Sequence, residues 1–120
     1  MSGFDIEFSH VGLQVFDLEK MIDFYSGLLG LQVSDRGLLH GKTPIAFLSR
    51  NPRDHHQVAL VQMRPADAAL STVNQISFRL PDVDTLRRMR DHLKDAGYEK
   101  FRMGMHGNAL SVYVFDPEGN

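Results

Sequence analysis

The sequence predicts an α+β fold: two βαβββ modules forming a curved mixed sheet around a central cup, with the helices outside. Three observations carry that expectation. The stretch Ser9-His10-Val11-Gly12-Leu13-Gln14-Val15 alternates, with Val11, Leu13 and Val15 on one side and His10, Gly12 and Gln14 on the other, the period of a strand with one apolar face. Sixty-five residues on, Asn74-Gln75-Ile76-Ser77-Phe78-Arg79-Leu80 repeats the pattern. Each stretch runs into an amphipathic segment opened by aspartate, and the spacing from His10 to Asp17 equals that from Gln75 to Asp82. The chain is an internal duplication in which His10 and Gln75 hold equivalent positions.

The elements follow in order. Asp17 suits the N-cap of a first helix and Glu19 its positive end. Leu18, Met21, Ile22, Tyr25, Leu28 and Leu29 recur at helical spacing, so one face packs on the sheet, and Gly30 stops the helix. Leu31 to Asp35 reads as a short strand, Arg36 to Pro44 as a loop, and Ile45 to Leu48 as a strand. Asn51-Pro52-Arg53-Asp54 is turn chemistry, and His55 to Met63 is the last strand of a module spanning residues 5–63. Residues 64–71 connect it to a second module, 72–120. There a helix from Asp82 carries Val83, Leu86, Met89, Leu93 and Ala96 on one side and ends at Gly97. Tyr98 to Met103 and Leu110 to Phe115 read as strands flanking the glycine-rich Gly104 to Asn108. After Asp116-Pro117-Glu118-Gly119-Asn120 a final strand is expected and is missing from the chain.

Bulk properties narrow the function. With 120 residues the chain is one domain's worth. A hydrophobic content of 42%, 23% charged residues and a net charge of -2 are those of a globular protein without a basic face for nucleic acid. No apolar run approaches the roughly 20 residues that cross a bilayer, and Asp5 and Glu7 do not suit a signal peptide. A cytoplasmic protein is expected. The absence of cysteine excludes disulfides, thiolate metal sites and a cysteine nucleophile.

The paired modules, His10 in the first strand and the Asp-Pro-Glu-Gly-Asn turn resemble the vicinal oxygen chelate superfamily of glyoxalases, bleomycin and fosfomycin resistance proteins and extradiol dioxygenases. His55-His56 at a strand start, His106 in the glycine-rich loop and Leu110-Ser111-Val112-Tyr113 are most similar to the extradiol, biphenyl-diol type. That resemblance implies Fe(II) or Mn(II) held by two histidines and a carboxylate, with open positions for a catechol and O2. It places His10 as first ligand, puts Gln75 where the second histidine belongs, and expects the third ligand beyond Asn120. A neutral amide oxygen is a poor donor to Fe(II) beside imidazole, so Gln75 departs from the pattern. The resemblance also implies that His56 moves protons and that His106 and Tyr113 hydrogen-bond the substrate oxygen or an anionic intermediate.

Plainer readings stand beside each residue. His10 suits a solvated polar face, His106 a turn, Tyr113 half-buried packing, and His55 an exposed position. The strand after His55 does not alternate clearly, so choosing His56 over His55 rests on the resemblance. Three functions are weighed: an O2-dependent ring-cleavage dioxygenase acting on a small aromatic, a metal-free module that binds such a ligand, and a glyoxalase-type lyase or isomerase. The last wants a glutamate near Ala59, where only Val58, Ala59, Leu60, Val61 and Gln62 stand. A homodimer is expected from the habit of relatives.

Overall fold

A computed structural model describes residues 3–98, 101–106 and 109–120. The class is α+β. The chain divides into two compact units, Met1–Ala66 and Asp67–Asn120.

In the first unit, β1 (Val11–Gln14) leads to α1 (Leu18–Ile22), which continues as a π-helical turn over Asp23–Leu28. Three strands follow: β2 (Gln32–Leu39), β3 (Thr43–Ser49) and β4 (Val58–Val61). The sheet runs in the order β1-β4-β3-β2, with β1 parallel to β4 and the other pairs antiparallel. Its covered face presents Leu13, Ala46, Leu48, Val58 and Leu60, each at most 6% exposed, toward α1. Leu18, Met21, Ile22, Phe24 and Tyr25 supply the helix side of the core. Phe24 falls outside the 3.6-residue stripe read from sequence, and the wider π turn rotates it inward beside Tyr25.

Residues 36–44 form no open loop. They belong to a β2–β3 hairpin closed by His40 (φ 52) and Gly41 (φ 71), with the Lys42 amide donating to the Leu39 carbonyl at 3.1 Å. Two successive positive φ values define the primed turn whose twist matches a hairpin, and glycine takes the second at no steric cost. The last strand is shorter than the expected His55 to Met63, because residues 51–57 are turns and bends ahead of the ladder.

The second unit holds α2 (Val83–Asp95) and the antiparallel hairpin of β5 (Phe101–His106) and β6 (Ala109–Val114). Asp17 and Asp82 cap their helices alike, Oδ1 accepting from Lys20 N at 3.1 Å and from Thr85 N at 2.7 Å. Gly97 (φ 92) closes α2 with the Tyr98 amide donating to the Leu93 carbonyl, the Schellman arrangement. Gly104, Met105 and His106 lie in β5, so the strand runs into the stretch read as a loop; Glu99, Lys100, Gly107 and Asn108 lie outside the described residues. Asp116 is 5% exposed and its carboxylate accepts from the amides of Glu118 and Asn120, a side-chain-closed turn.

One expected strand is not formed. Asn74 to Leu80 makes no ladder, and Phe78 is 46% exposed. Alternation makes a strand only where another strand takes its N–H and C=O groups. In the first unit β4 does this for β1, and among the described residues of the second unit no strand plays β4's part.

Candidate functional site

The open face of the first sheet carries the polar half of the β1 alternation. Cross-strand register puts Gly12 opposite Ala59 and Ala59 opposite Phe47, so all three share that face. On β2 a bulge changes the frame: Val33 pairs with Leu48 and Asp35 with Phe47, leaving Ser34 as the extra residue. A bulge shifts every later side chain to the other face. Asp35 therefore joins Phe47 on the open side. Arg36 turns to the helix side, where its guanidinium pairs with Glu19.

Phe47 lies beside two histidines, and a third, His10, joins the cluster through His56. The His10 and His56 ring centroids are 4.2 Å apart, and the Phe47 ring lies 4.8 Å from His56 and 5.2 Å from His55. His55 and His56 meet through their Nδ1 atoms at 2.8 Å, and Asp35 Oδ2 lies 3.5 Å from His55 Nε2. His10 Nδ1 is 2.9 Å from Ser9 Oγ. The Ser34 hydroxyl shares its single proton between the Phe47 carbonyl, at 3.1 Å, and the His55 carbonyl.

Gln57, directly after His56, anchors the loop. Its carbonyl accepts from the Val11 amide at 3.0 Å, and its own amide donates to Leu48 O at 2.8 Å. His56 therefore enters the sheet at the seam between β1 and β3. His55 and His56 precede the ladder, so strand alternation does not separate them, and both rings reach Phe47 although His55 remains exposed.

Electrostatics single out His56. Its pKa is held below the ordinary imidazole value, first by desolvation and then by the neighbouring His10 and His55. Burial disfavours the charged form of a base and adjacent cations do the same. The neutral imidazole is the form that accepts a proton.

The other sequence candidates lie in the second unit. Tyr113 on β6 is partly buried, and the Arg102 guanidinium of the opposing β5 residue covers its ring at 4.9 Å. His106 closes β5 opposite Ala109, and its side chain lies outside the described residues. Gln75 is exposed within the unladdered segment.

The Fe(II) or Mn(II) centre implied by resemblance needs three donors around one point. Among the described residues no group of three His, Cys, Asp or Glu side chains is placed to hold a metal ion. Of the set that the resemblance implies, the chain offers the imidazole of His10, and position 75 carries an amide in place of the second imidazole.

Sequence reading missed Asp35, Phe47 and the part played by His55. The histidine pair was visible, but Asp35 comes to it only through the bulge at Ser34, which no spacing in the sequence marks.

The model of the glyoxalase/bleomycin resistance protein/dioxygenase superfamily matches residues 7–120. The chain belongs to this superfamily. Within it, the chain is 30% identical over 118 residues to biphenyl-2,3-diol 1,2-dioxygenase 2 of Rhodococcus globerulus, covering 95% of this chain and 59% of that protein. It is also 30% identical over 116 residues to metapyrocatechase 2 of Cupriavidus necator, covering 93% and 33% respectively. The chain thus spans about three fifths and one third of the lengths of these two superfamily relatives. Solved structures agree on the fold. Glyoxalase I of Leishmania major superposes with a TM-score of 0.67 at 16% identity, covering 96% of this chain and 82% of that one. An integron cassette protein from the Halifax Harbour sewage metagenome gives 0.67 at 24% identity, covering 94% and 91%. Among the described residues no helix is long and apolar enough to cross a membrane.

Proposed function

We propose that this member of the superfamily is extradiol-dioxygenase-like and acts on a catechol or related small aromatic, with O2-dependent ring cleavage as the reaction. The observation that carries the reading is the placement of His56, a depressed imidazole, against His10 and the Phe47 ring on the open face. Similarity to two proteins named as ring-diol oxygenating enzymes supports the same substrate class. The part assigned to this chain's own residues is binding and proton removal. An aromatic ring seats against Phe47 by edge or offset contact. Neutral His56 accepts a hydrogen bond from one hydroxyl, and its lowered pKa leaves the proton on the diol until the reaction makes that hydroxyl more acidic. On the resemblance alone, Tyr113 and His106 are proposed as hydrogen-bonding residues for a substrate oxygen, and the protein is proposed to work as a cytoplasmic homodimer.

The amide at position 75 favours a second reading, a module that binds the aromatic without an ion. Calorimetric titration with catechol tests the shared part, which is binding of the aromatic. Catechol binding that weakens in His56→Gln is expected. Oxygen uptake with catechols, after supplying Fe(II) or Mn(II) and measuring bound metal, separates the two readings. Uptake supports the dioxygenase, and binding without uptake supports the module. No binding of any catechol overturns both.

A further inference from the structure

We infer that Asp35 and His55 are positioning residues that set the tautomer of His56, so that its Nε2 faces the substrate without a proton. The inference deepens the proposed function, since it rests on His56 as the proton acceptor.

The geometry restricts the arrangement of protons. Between two neutral imidazoles whose Nδ1 atoms lie 2.8 Å apart there is room for a single hydrogen, and one nitrogen must be the acceptor. Asp35 Oδ2, at 3.5 Å from His55 Nε2, decides which. A carboxylate at that distance favours the proton on the nitrogen that faces it. With Nε2 protonated, neutral His55 keeps its lone pair on Nδ1. The hydrogen between the rings then belongs to His56 Nδ1, and His56 Nε2 is left as the free base. When Nε2 takes the substrate proton, the imidazolium keeps its Nδ1–H bond to His55, and no other proton has to move.

Asp35 and His55 are more than half exposed, at 59% and 56% of their side chains. Solvent screens such a pair, and exposed ion pairs contribute little to stability. Its consequence lies in orientation. The surrounding structure supports that purpose. The bulge brings Asp35 to the open face, the Ser34 hydroxyl bridges the carbonyls of Phe47 and His55 with its one proton, and the Phe47 ring lies beside both imidazoles. A hydrogen bond made by one ring nitrogen determines the role of the other. An isolated neutral histidine prefers its proton on Nε2, so this arrangement reverses the default.

Nitrogen spectroscopy reads the tautomer without catalysis. In protein labelled with 15N-histidine, long-range proton–nitrogen correlation at alkaline pH is expected to show His56 Nδ1 in the protonated range and Nε2 in the unprotonated range. His55→Phe keeps a ring beside Phe47 but removes the acceptor, and should move His56 to the Nε2–H form. Asp35→Ala should release His55 and leave His56 as a mixture, while Asp35→Asn, which retains a side-chain oxygen, should restore much of the original pattern. A wild-type spectrum with the proton on Nε2 overturns the inference, even if the variants fail to fold. So does a folded His55→Phe protein with an unchanged His56 tautomer. Catechol binding by the same sample reports separately: a correct tautomer without binding sinks the functional reading and leaves this one standing.

Discussion

Leu60 is the side chain on which the first sheet should depend most, and Leu60→Ala measures that dependence. It is fully buried on β4, opposite Leu13 of β1 and Ala46 of β3. Truncation removes apolar contacts and leaves a cavity, and such changes cost about 2–5 kcal/mol according to how far the site can collapse. Here collapse is restrained, because ladder bonds hold β4 on both sides. A loss of about 3–4 kcal/mol is expected, in the upper half of that range and a large share of a typical domain stability of about 5–15 kcal/mol. Leu38 in the same sheet is 59% exposed and serves as the control; Leu38→Ala should cost less than about 0.5 kcal/mol. Urea unfolding followed by far-ultraviolet circular dichroism gives both values, with an unchanged slope confirming that the unfolding reaction is the same. Equal midpoints for the two variants, or a Leu60→Ala cost below about 1 kcal/mol, would show that the covered face is not the packed core.

Other expectations concern the site and the turns. Because the His56 pKa is lowered on folding, the unfolded chain binds more protons between the ordinary and the lowered value. Its contribution to stability is complete above the ordinary pKa and is lost as pH falls through the folded one. Unfolding midpoints of wild type should therefore drop on mild acidification more steeply than those of His56→Gln, and parallel curves would contradict the depressed pKa. Phe47→Ala removes the ring beside both imidazoles and should cost about 0.5–1.5 kcal/mol per aromatic contact beyond area loss; calorimetric titration should show weaker catechol binding, and unchanged affinity would remove Phe47 from the seat. Gly41→Ala meets a positive φ and should destabilise the β2–β3 hairpin by about 1–2 kcal/mol, visible in the thermal midpoint, whereas no shift would mean that the turn relaxes freely.

Much of the first unit was legible along the chain because its information is local. The alternation of Val11, Leu13 and Val15, the capping aspartates and the glycine stops each act within a few residues, through strand pleat, an orphan amide or a positive φ. The second unit shows where local information ends. Asn74 to Leu80 alternates as cleanly as β1, yet forms no strand, because alternation does not supply the partner that satisfies the backbone.

Composition and pattern alone determined the α+β class, the duplicated helix caps, the exclusion of cysteine chemistry and His10 as a chemical candidate, while the choice of His56 over His55 came from the family resemblance. Tertiary structure decided which groups meet. The bulge at Ser34 carries Asp35 to the open face, the bends before β4 free both His55 and His56 from strand alternation, and Phe47 draws their rings together. Those outcomes depend on register between strands distant in sequence, and a register is a property of paired backbones that no single stretch of residues contains.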